Sequence, residues 1–257
     1  LLFRNNGNGT FTDSTNAAGL SGDAPGIAAL PVDFNNDRAI DILLTGWRRS
    51  TAAFLNTREG PFRSVDPWKS PFPAPAAGVV ALDFNKDGWM DIAFTHWGAP
   101  GLSVWRNLGG SNGFERVSVP EPQWSRGWGI TAVDIDNDGW IDLAATGERG
   151  GQASLLLLRN LGGNRFSDVT NAASLQSVGL VRPRALLSGD IDGDGDSDLL
   201  VTQNAGPPVV LRNDGGNRRR SVRLALQGLG DNRSGIGTKV EVFAGALRQK
   251  WEVGSSS

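Results

Sequence analysis

Four short stretches of the sequence share one pattern of oxygen-bearing side chains, and this pattern constrains the fold most. Each is nine residues long, with an acidic or amide side chain at positions 1, 3 and 5 and an aspartate at position 9. We call residues 33–41, 83–91, 134–142 and 190–198 loops 1 to 4. The loops begin about 50 residues apart. Recurrence at such a period predicts a repeat architecture.

The side chains of these loops suit a hard divalent cation. Several carboxylates in so small a volume repel one another unless a cation lies among them. Ca²⁺ takes about six to eight oxygen ligands. We expect side-chain ligands at positions 1, 3 and 5, a backbone carbonyl at position 7, and aspartate at position 9 to complete the shell, with three or four structural Ca²⁺ ions in total. The predicted ligands are Asp33, Asn35, Asp37, Ala39 and Asp41 in loop 1; Asp83, Asn85, Asp87, Trp89 and Asp91 in loop 2; Asp134, Asp136, Asp138, Trp140 and Asp142 in loop 3; and Asp190, Asp192, Asp194, Asp196 and Asp198 in loop 4.

The pattern is not that of an EF-hand. The EF-hand needs Glu at position 12 of its loop, where this chain has Leu44, Phe94, Ala145 and Val201. A single loop of this kind could be a solvated turn, but four copies in register favour metal sites. Loop 1 is expected to be the weakest, because Arg38 stands at position 6, where the other loops have glycine and the chain turns most sharply.

Short apolar stretches flank every loop and predict β-strands. They are residues 28–32, 79–82, 130–133 and 185–188 before the loops, and 42–45, 92–95, 143–146 and 199–202 after them. A second motif, an apolar run ending in asparagine and followed by glycine-rich residues, predicts a hairpin near Asn5, Asn56, Asn107, Asn160 and Asn213. Each unit is therefore predicted to have four short antiparallel strands. Units of this kind, repeated every 40–50 residues or so, are typical of a β-propeller.

Together the two motifs resemble FG-GAP/VCBS repeats, and the segment from Arg159 to Thr170 is the best copy of the second motif. The resemblance covers residues 1–215. It implies an all-β fold of four-stranded propeller blades, with calcium loops like those of integrin α-subunits. Propellers of this kind usually have about seven blades, so we expect the chain to be a fragment of one.

Residues 216–257 differ from the repeats and are predicted to form a small, incomplete β domain. Alternating apolar residues predict strands at 222–226 and 240–242. This segment resembles the start of an ASPIC/UnbV domain, which follows such repeats in cartilage-acidic-protein-like and bacterial secreted proteins. The residues that carry the resemblance are Gly230, Asn232, Arg233, Gly235, Ile236 and Gly237.

The residue six positions beyond the last aspartate of each loop is predicted to lie on one rim of the propeller. These residues are Trp47, Trp97, Glu148 and Asn204. Indole rings beside carboxylate and amide groups suit the recognition of a sugar or a peptide. The alternative is that the tryptophans pack between blades.

The composition excludes several kinds of chemistry. Cysteine and tyrosine are absent and His96 is the single histidine, so a thiol nucleophile or a tyrosine-based lyase is not available. The formal net charge is −2, and about half of the acidic residues lie in the loops. Arg218–Arg220 has no interleaved aromatic residues, so nucleic-acid binding is not predicted. No apolar run is long enough to cross a membrane.

The sequence thus predicts a calcium-stabilised, non-catalytic β-propeller scaffold that binds a protein or a glycan. Calcium loops of extracellular modules bind weakly and need about millimolar calcium, so we expect an extracellular or periplasmic location. The alternative is a carbohydrate-active enzyme, a lyase or hydrolase, acting at the rim near Trp47 and Trp97. A groove with an acid and a base would favour the enzyme, and a flat rim the binding module. A third possibility is a structural spacer.

Overall fold

The computed structural model describes residues 1–21, 26–47, 51–73, 75–215, 221–230, 232–245 and 247–254. In these residues the regular structure is β-strand, apart from one short 3₁₀ helix at Leu175–Ser177. The strands are β1 (Phe3–Asn5), β2 (Phe11–Asp13), β3 (Gly26–Val32), β4 (Asp41–Gly46), β5 (Ala52–Leu55), β6 (Arg63–Val65), β7 (Ala76–Leu82), β8 (Asp91–His96), β9 (Leu102–Asn107), β10 (Phe114–Val117), β11 (Arg126–Val133), β12 (Asp142–Arg149), β13 (Gln152–Asn160), β14 (Phe166–Asp168), β15 (Pro183–Gly189), β16 (Asp198–Gln203), β17 (Val209–Leu211), β18 (Lys239–Ala244) and β19 (Leu247–Glu252).

The strands form a series of antiparallel sheets in which consecutive strands are neighbours. Three sheets have four strands each, β3–β6, β7–β10 and β11–β14, and we call them blades 1 to 3. Blade 4 has three strands in the described residues, β15–β17, and the hairpin β1–β2 precedes blade 1. The predicted all-β fold of four-stranded antiparallel units is therefore confirmed.

The first strands of successive blades, β3, β7, β11 and β15, lie next to one another in chain order. Each loop connects the first strand of its blade to the second, so all four loops lie at the same end of the blades. In blade 2, for example, Leu82 pairs with Asp91 beside the loop, and Ala76 pairs with His96 at the far end. Three of the predicted rim residues follow their second strands and Glu148 lies in the last residue pair between β12 and β11, so all four lie at the end opposite the loops.

In each blade, a threonine on the second strand hydrogen-bonds to the first strand next to the point where the pairing of the two strands shifts register. The pairing of the first two strands shifts register once in every blade, as at a β-bulge. In blade 2 the Gly78 N–H next to this shift donates to Thr95 Oγ1 at 2.9 Å. Thr95 Oγ1 in turn donates to the Trp128 carbonyl of blade 3 at 2.6 Å. The threonine that ends each apolar stretch therefore satisfies a bulge and, here, joins two blades.

The hydrophobic core lies between the faces of successive blades. One cluster joins Leu43 of blade 1 to Ile92 and Trp105 of blade 2. Two similar clusters join blade 2 to blade 3 and blade 3 to blade 4. His96 is fully buried, and its Nε2 lies 2.7 Å from Ser103 Oγ. Its position agrees with a packing role.

The C-terminal segment agrees only partly with its prediction. The hairpin β18–β19 includes the strand predicted at 240–242. The strand predicted at 222–226 is wrong: residues 221–228 have no strand, and Val222 and Leu224 are exposed. Alternation of apolar residues does not suffice where no other described strand pairs with the segment. Arg218–Arg220 lies outside the described residues.

Within the described residues, no helix combines the length and hydrophobicity that a membrane span requires.

Candidate metal centres and rim

The first aspartate of each loop holds the turn together through backbone hydrogen bonds. In loop 3, Asp134 Oδ1 accepts from the Asp138 N–H at 3.0 Å and Asp134 Oδ2 from the Gly139 N–H at 2.9 Å. Gly139 has a φ of 84°, a conformation that favours glycine. Arg38 takes the same place in loop 1 with a φ of 71°. Loop 1 therefore keeps the turn at the cost of backbone strain.

The aspartate at position 9 is buried and bonded to the backbone. Asp142 Oδ1 accepts from the Asn160 N–H at 2.7 Å, and its Oδ2 from the Ile135 N–H at 3.1 Å. Asp91 and Asp198 have equivalent bonds. These bonds close the loop on the hairpin of its own blade. That position 9 also binds metal stays a prediction.

The asparagine of the second motif joins blades 2, 3 and 4 each to the blade before it. Asn160 Nδ2 donates to the Ile141 carbonyl of its own loop at 3.0 Å and to the Phe84 carbonyl of loop 2 at 2.8 Å. Its Oδ1 accepts from the Gly162 N–H at 2.9 Å. Asn107 and Asn213 make the same three kinds of contact. Sequence reasoning assigned this asparagine only to a turn, although its recurrence at similar distances after the loops was a usable signal.

Two of the loops bring three carboxylates together. Asp134, Asp136 and Asp138 offer oxygens within 4.8 Å of one another in loop 3, and Asp190, Asp192 and Asp194 do so in loop 4. Both sets contain oxygen donors alone, which fits Ca²⁺ better than metals that prefer nitrogen or sulfur. These two clusters could hold a metal ion.

Cationic side chains border both clusters. The Arg159 guanidinium bonds to Asp138 at 3.0 Å and pairs with Asp136. The Arg223 guanidinium bonds to Asp190 at 2.8 Å. Each cluster of carboxylates is thus paired with a guanidinium of the same chain.

Loops 1 and 2 have a different charge arrangement, because an amide stands at position 3. Asn35 Nδ2 donates to Asp37 Oδ2 at 2.9 Å, and Asn85 Nδ2 donates to Asp87 Oδ2 at 2.8 Å. The amide oxygen remains a possible ligand, but each loop has one negative charge fewer at these positions. In loop 1 the Lys239 ammonium also bonds to Asp33.

Burial changes the acidity of the loop carboxyls. It raises the pKa of Asp41 and that of Asp142 to about 7, and it raises the pKa of Asp91 well above its ordinary value. Neighbouring loop aspartates add to the rise, while the backbone N–H donors oppose it. A cation in the loop would stabilise the ionised forms and oppose this rise.

The tryptophans at position 7 pack on a glycine of the hairpin turn. A Cβ at Gly162 would lie 3.0 Å from the Trp140 ring, and Trp89 stands in the same relation to Gly109. Lys86 Nζ of loop 2 lies 3.8 Å from the centre of the Trp140 ring. The glycine is thus needed for close contact with an indole.

At the opposite end of the blades, the predicted rim tryptophans contact each other across blades. The ring centres of Trp47 and Trp97 are 3.7 Å apart, and those of Trp97 and Trp128 are 4.9 Å apart, both edge to face. Trp97 Nε1 also donates to the Gly127 carbonyl at 3.0 Å. Trp47 keeps 46% of its surface exposed. The rings therefore pack between blades and also leave one indole open to solvent.

Arg184 joins the polar residues of the rim to its aromatic part. Its guanidinium carbon lies 4.0 Å from the centre of the Trp128 ring, and its Nη1 lies 3.8 Å from Glu148 Oε1. Glu148 Oε1 accepts from Trp128 Nε1 at 3.0 Å. With the Asn204 amide oxygen turned towards Arg184, it accepts from Nε at 2.9 Å and from Nη2 at 3.0 Å. The four predicted rim residues are thus brought together through Trp128 and Arg184, which sequence reasoning missed because both belong to first strands.

Comparisons with known proteins agree with the repeat. A family model described as an FG-GAP-like repeat matches residues 33–94 and 134–201, which together are just over half of the chain. Each matched stretch begins at the first aspartate of one loop and ends in the strand after the next loop. No curated protein matches the chain.

Two solved structures resemble this chain in fold. One is an Agrocybe aegerita lectin described as specifically recognising non-reducing terminal N-acetylglucosamine, with 20% identity and a TM-score of 0.49 over 89% of this chain and 61% of that one. The other is the V. cholerae biofilm matrix protein Bap1, with 18% identity and a TM-score of 0.41 over 72% of this chain and 30% of that one. The chain thus spans about three fifths of the lectin's length and less than a third of Bap1's. Neither likeness bears on function.

Proposed function

The chain belongs to the FG-GAP-like repeat family, and from that premise we propose that it is a calcium-stabilised, non-catalytic β-propeller scaffold that binds a glycan or a protein at its rim. The observation that carries the proposal is the continuous aromatic and polar row from Trp47 to Asn204. An exposed indole offers a flat apolar face, and the neighbouring Glu148, Arg184 and Asn204 offer hydrogen bonds. A site that combines such groups suits a polar ligand with apolar faces, such as a sugar ring.

Calcium is proposed as the ion of the loops, and its role as structural. The three-carboxylate clusters of loops 3 and 4 are the strongest candidates, because they have the most negative charge and only oxygen donors. Loops of this kind gain folding free energy when metal binds, since the unfolded chain has no such site. Because weak calcium sites need about millimolar calcium, we also propose an extracellular or periplasmic location.

A binding role fits the rim better than a catalytic one. Glu148 faces an indole N–H and a guanidinium, rather than a second carboxylate. Glycoside hydrolysis usually needs two carboxyl groups with different roles. The carbohydrate-active enzyme remains the alternative, and the experiment below includes an assay for it.

Two domains are proposed: residues 1–215 as propeller repeats and residues 216–257 as the start of an ASPIC/UnbV-like domain. The glycine-rich core supports the second assignment. Asn232 Nδ2 donates to the Ile236 carbonyl and Asn232 Oδ1 accepts from the Ile236 N–H, both at 2.9 Å. Gly235 and Gly237 have φ values of 66° and 81°. The residues that carry the resemblance thus form one compact turn.

The test is glycan-array binding of the calcium-loaded protein, followed by titration of the best glycan. We expect Trp47→Ala to weaken binding about tenfold or more, as loss of an aromatic anchor does. Phe11→Ala is the matched control, since Phe11 is 64% exposed on the hairpin before blade 1, and it should bind like the wild type.

Two outcomes would count against this proposal, and another would decide between its two classes of ligand. Equal loss in the two variants would remove the rim as the site. Binding of no glycan would leave a protein ligand, which a pull-down with the same two variants tests. Shortening of the bound glycan by the wild type, lost in Glu148→Gln, would support the enzyme instead.

A further inference from the structure

The C-terminal hairpin β18–β19 lies against the loop ends of blades 1 to 3, far in sequence from any of them. Lys239 contacts Asp33 of loop 1, and Gln249 donates to Asp134 of loop 3 at 3.3 Å. Between these two points, Lys250 bonds to the Gly88 carbonyl of loop 2. The hairpin thus covers the face on which the calcium loops lie.

The Lys239 ammonium is bonded to oxygens of loop 1. Its Nζ donates to Asp33 Oδ2 and, at 2.8 Å, to Asn36 Oδ1. The Asp33 side chain is fully buried, and 21% of the Lys239 side chain is exposed. Asp33 is the position 1 residue that a metal ion in this loop would use. A buried carboxylate needs a positive partner, and here a lysine of the same chain supplies it.

The residues around this contact make it part of a bonded network. Both carboxylate oxygens of Glu252 lie 3.2 Å from the Asp33 backbone nitrogen, which donates to them. Lys250 Nζ donates to Asn36 Oδ1 at 2.9 Å, and Asn36 Nδ2 reaches the Gly88 carbonyl at 3.1 Å. The first strand of the hairpin therefore binds loop 1 through Lys239, and the second strand binds it through Lys250 and Glu252.

The hairpin offers different side chains to different loops. At loop 3, which has three carboxylates, it presents the neutral Gln249 and Leu247, and a Cβ at Gly139 would lie 2.3 Å from Leu247 Cδ1. At loop 1, which has Asn35 and Arg38 where loop 3 has aspartate and glycine, it presents an ammonium group. The hairpin's Arg248 and Lys250 lie beside Gly88 of loop 2, but at loop 1 the ammonium of Lys239 bonds to the position 1 carboxylate itself.

We propose that Lys239 takes the place of a metal ion in loop 1 and that this ion pair fastens the C-terminal hairpin to the loop face. Loop 1 is then a docking site for a segment of its own chain, while loops 2 to 4 remain available for calcium. This inference does not depend on what the rim binds. It makes the attachment of the hairpin to loop 1 independent of calcium.

Hydrogen exchange measured by mass spectrometry tests the proposal on the full chain. In the wild type, we expect exchange in peptides from 239–252 to be the same with calcium and with chelator. Lys239→Met should make the hairpin exchange about tenfold faster or more, while Lys239→Arg, which keeps the charge, should lose less protection. Lys69→Met is the matched control, since Lys69 is exposed, and it should leave the hairpin unchanged.

Peptides from β8 and β12 report in the same experiment whether each variant is folded. If Lys239→Met does not fold, Glu252→Gln removes the neighbouring charge and is expected to accelerate hairpin exchange by a smaller factor. Hairpin exchange that rises in the wild type when calcium is added would overturn the proposal, because calcium would then displace the lysine. Equal exchange in Lys239→Met and Lys69→Met would overturn it as well.

Discussion

Loops 1 and 3 have nearly the same backbone but different charges. In both, the first aspartate accepts the N–H groups of positions 5 and 6. Position 3 is Asn35 in loop 1 and Asp136 in loop 3. Lys239 pairs with Asp33 in loop 1, whereas Arg159 pairs with Asp136 and Asp138 in loop 3. The comparison teaches that backbone hydrogen bonds to one aspartate define the turn. Around that common turn the charges differ, with Lys239 beside the first aspartate of loop 1 and a third carboxylate at position 3 of loop 3.

The hydrogen bonds between blades are the same at loops with an amide at position 3 and at the loop with a carboxylate there. Asn107 bonds to the Phe34 carbonyl of loop 1 at 2.7 Å, and Asn160 bonds to the Phe84 carbonyl of loop 2 at 2.8 Å. Asn213 makes the same bond to the Ile135 carbonyl of loop 3 at 2.7 Å. The repeat therefore keeps the same hydrogen bond between blades while the charges of its loops differ.

The largest loss of stability is expected when the asparagine that joins two blades is removed. Asn160→Ala removes two buried donor contacts and one acceptor contact, leaving the Phe84 and Ile141 carbonyls without this partner. We expect a loss of about 3 kcal/mol in the free energy of unfolding, measured by urea denaturation in calcium. Asn56→Ala is the control, because the Asn56 amide bonds within its own blade, to the Ile40 carbonyl, and it should cost about half as much. Equal losses in the two variants would show that the hydrogen bond between blades adds nothing to the free energy of unfolding.

The next effect tests the difference between the loops. Asp136→Asn gives loop 3 the amide that loops 1 and 2 have at position 3. We expect it to remove about 2 kcal/mol of calcium-dependent stability, read as the change in melting temperature between calcium and chelator. The reciprocal variant Asn35→Asp should add no calcium-dependent stability, since Lys239 already pairs with Asp33. A gain in the reciprocal variant would mean that position 3 alone decides where calcium binds.

A smaller change in the free energy of unfolding is expected when the pH is varied. In the folded protein without calcium, the pKa of Asp142 is about 7, above the ordinary value of 3.8 that applies when the chain is unfolded. Between these values the folded state holds more protons than the unfolded state, so stability falls as pH rises from about 4 to 7. Bound calcium favours the ionised carboxylate and should flatten this slope.

Urea midpoints at several pH values, with calcium and with chelator, measure this slope. Asp142→Asn should reduce the slope of the chelator curve alone, because Asp41 and Asp91 still have raised pKa values. Stability of the chelated protein that rises with pH across this range would contradict the assignment.

Much of the blade could be predicted because its signals are local. The flanking apolar stretches and the asparagine and glycine turns lie within a few residues of the loops, and they gave the four-stranded units and the positions of the loops. What could not be predicted depends on pairs distant in sequence. Asn160 is 76 residues from Phe84, and Lys239 is 206 residues from Asp33. The first separation recurs from blade to blade, but no repeat in the sequence points to the second.

The site was predicted in the same uneven way. The loop aspartates and rim positions could be read from the repeat, whereas Trp128 and Arg184 at the rim required knowledge of which first strands meet. The strand predicted at 222–226 failed because an alternating pattern specifies a face but not a partner strand. Predictions from this sequence are thus reliable where the repeat itself supplies the partner.

The most direct test of the account is a count of calcium ions by native mass spectrometry on the wild type, Asp33→Asn and Asp134→Asn. We predict calcium in loops 2, 3 and 4 and none in loop 1. Asp33→Asn should then bind as many ions as the wild type, and Asp134→Asn one fewer. If Asp33→Asn also loses an ion, loop 1 is a metal site and the difference between the loops that the account rests on does not exist.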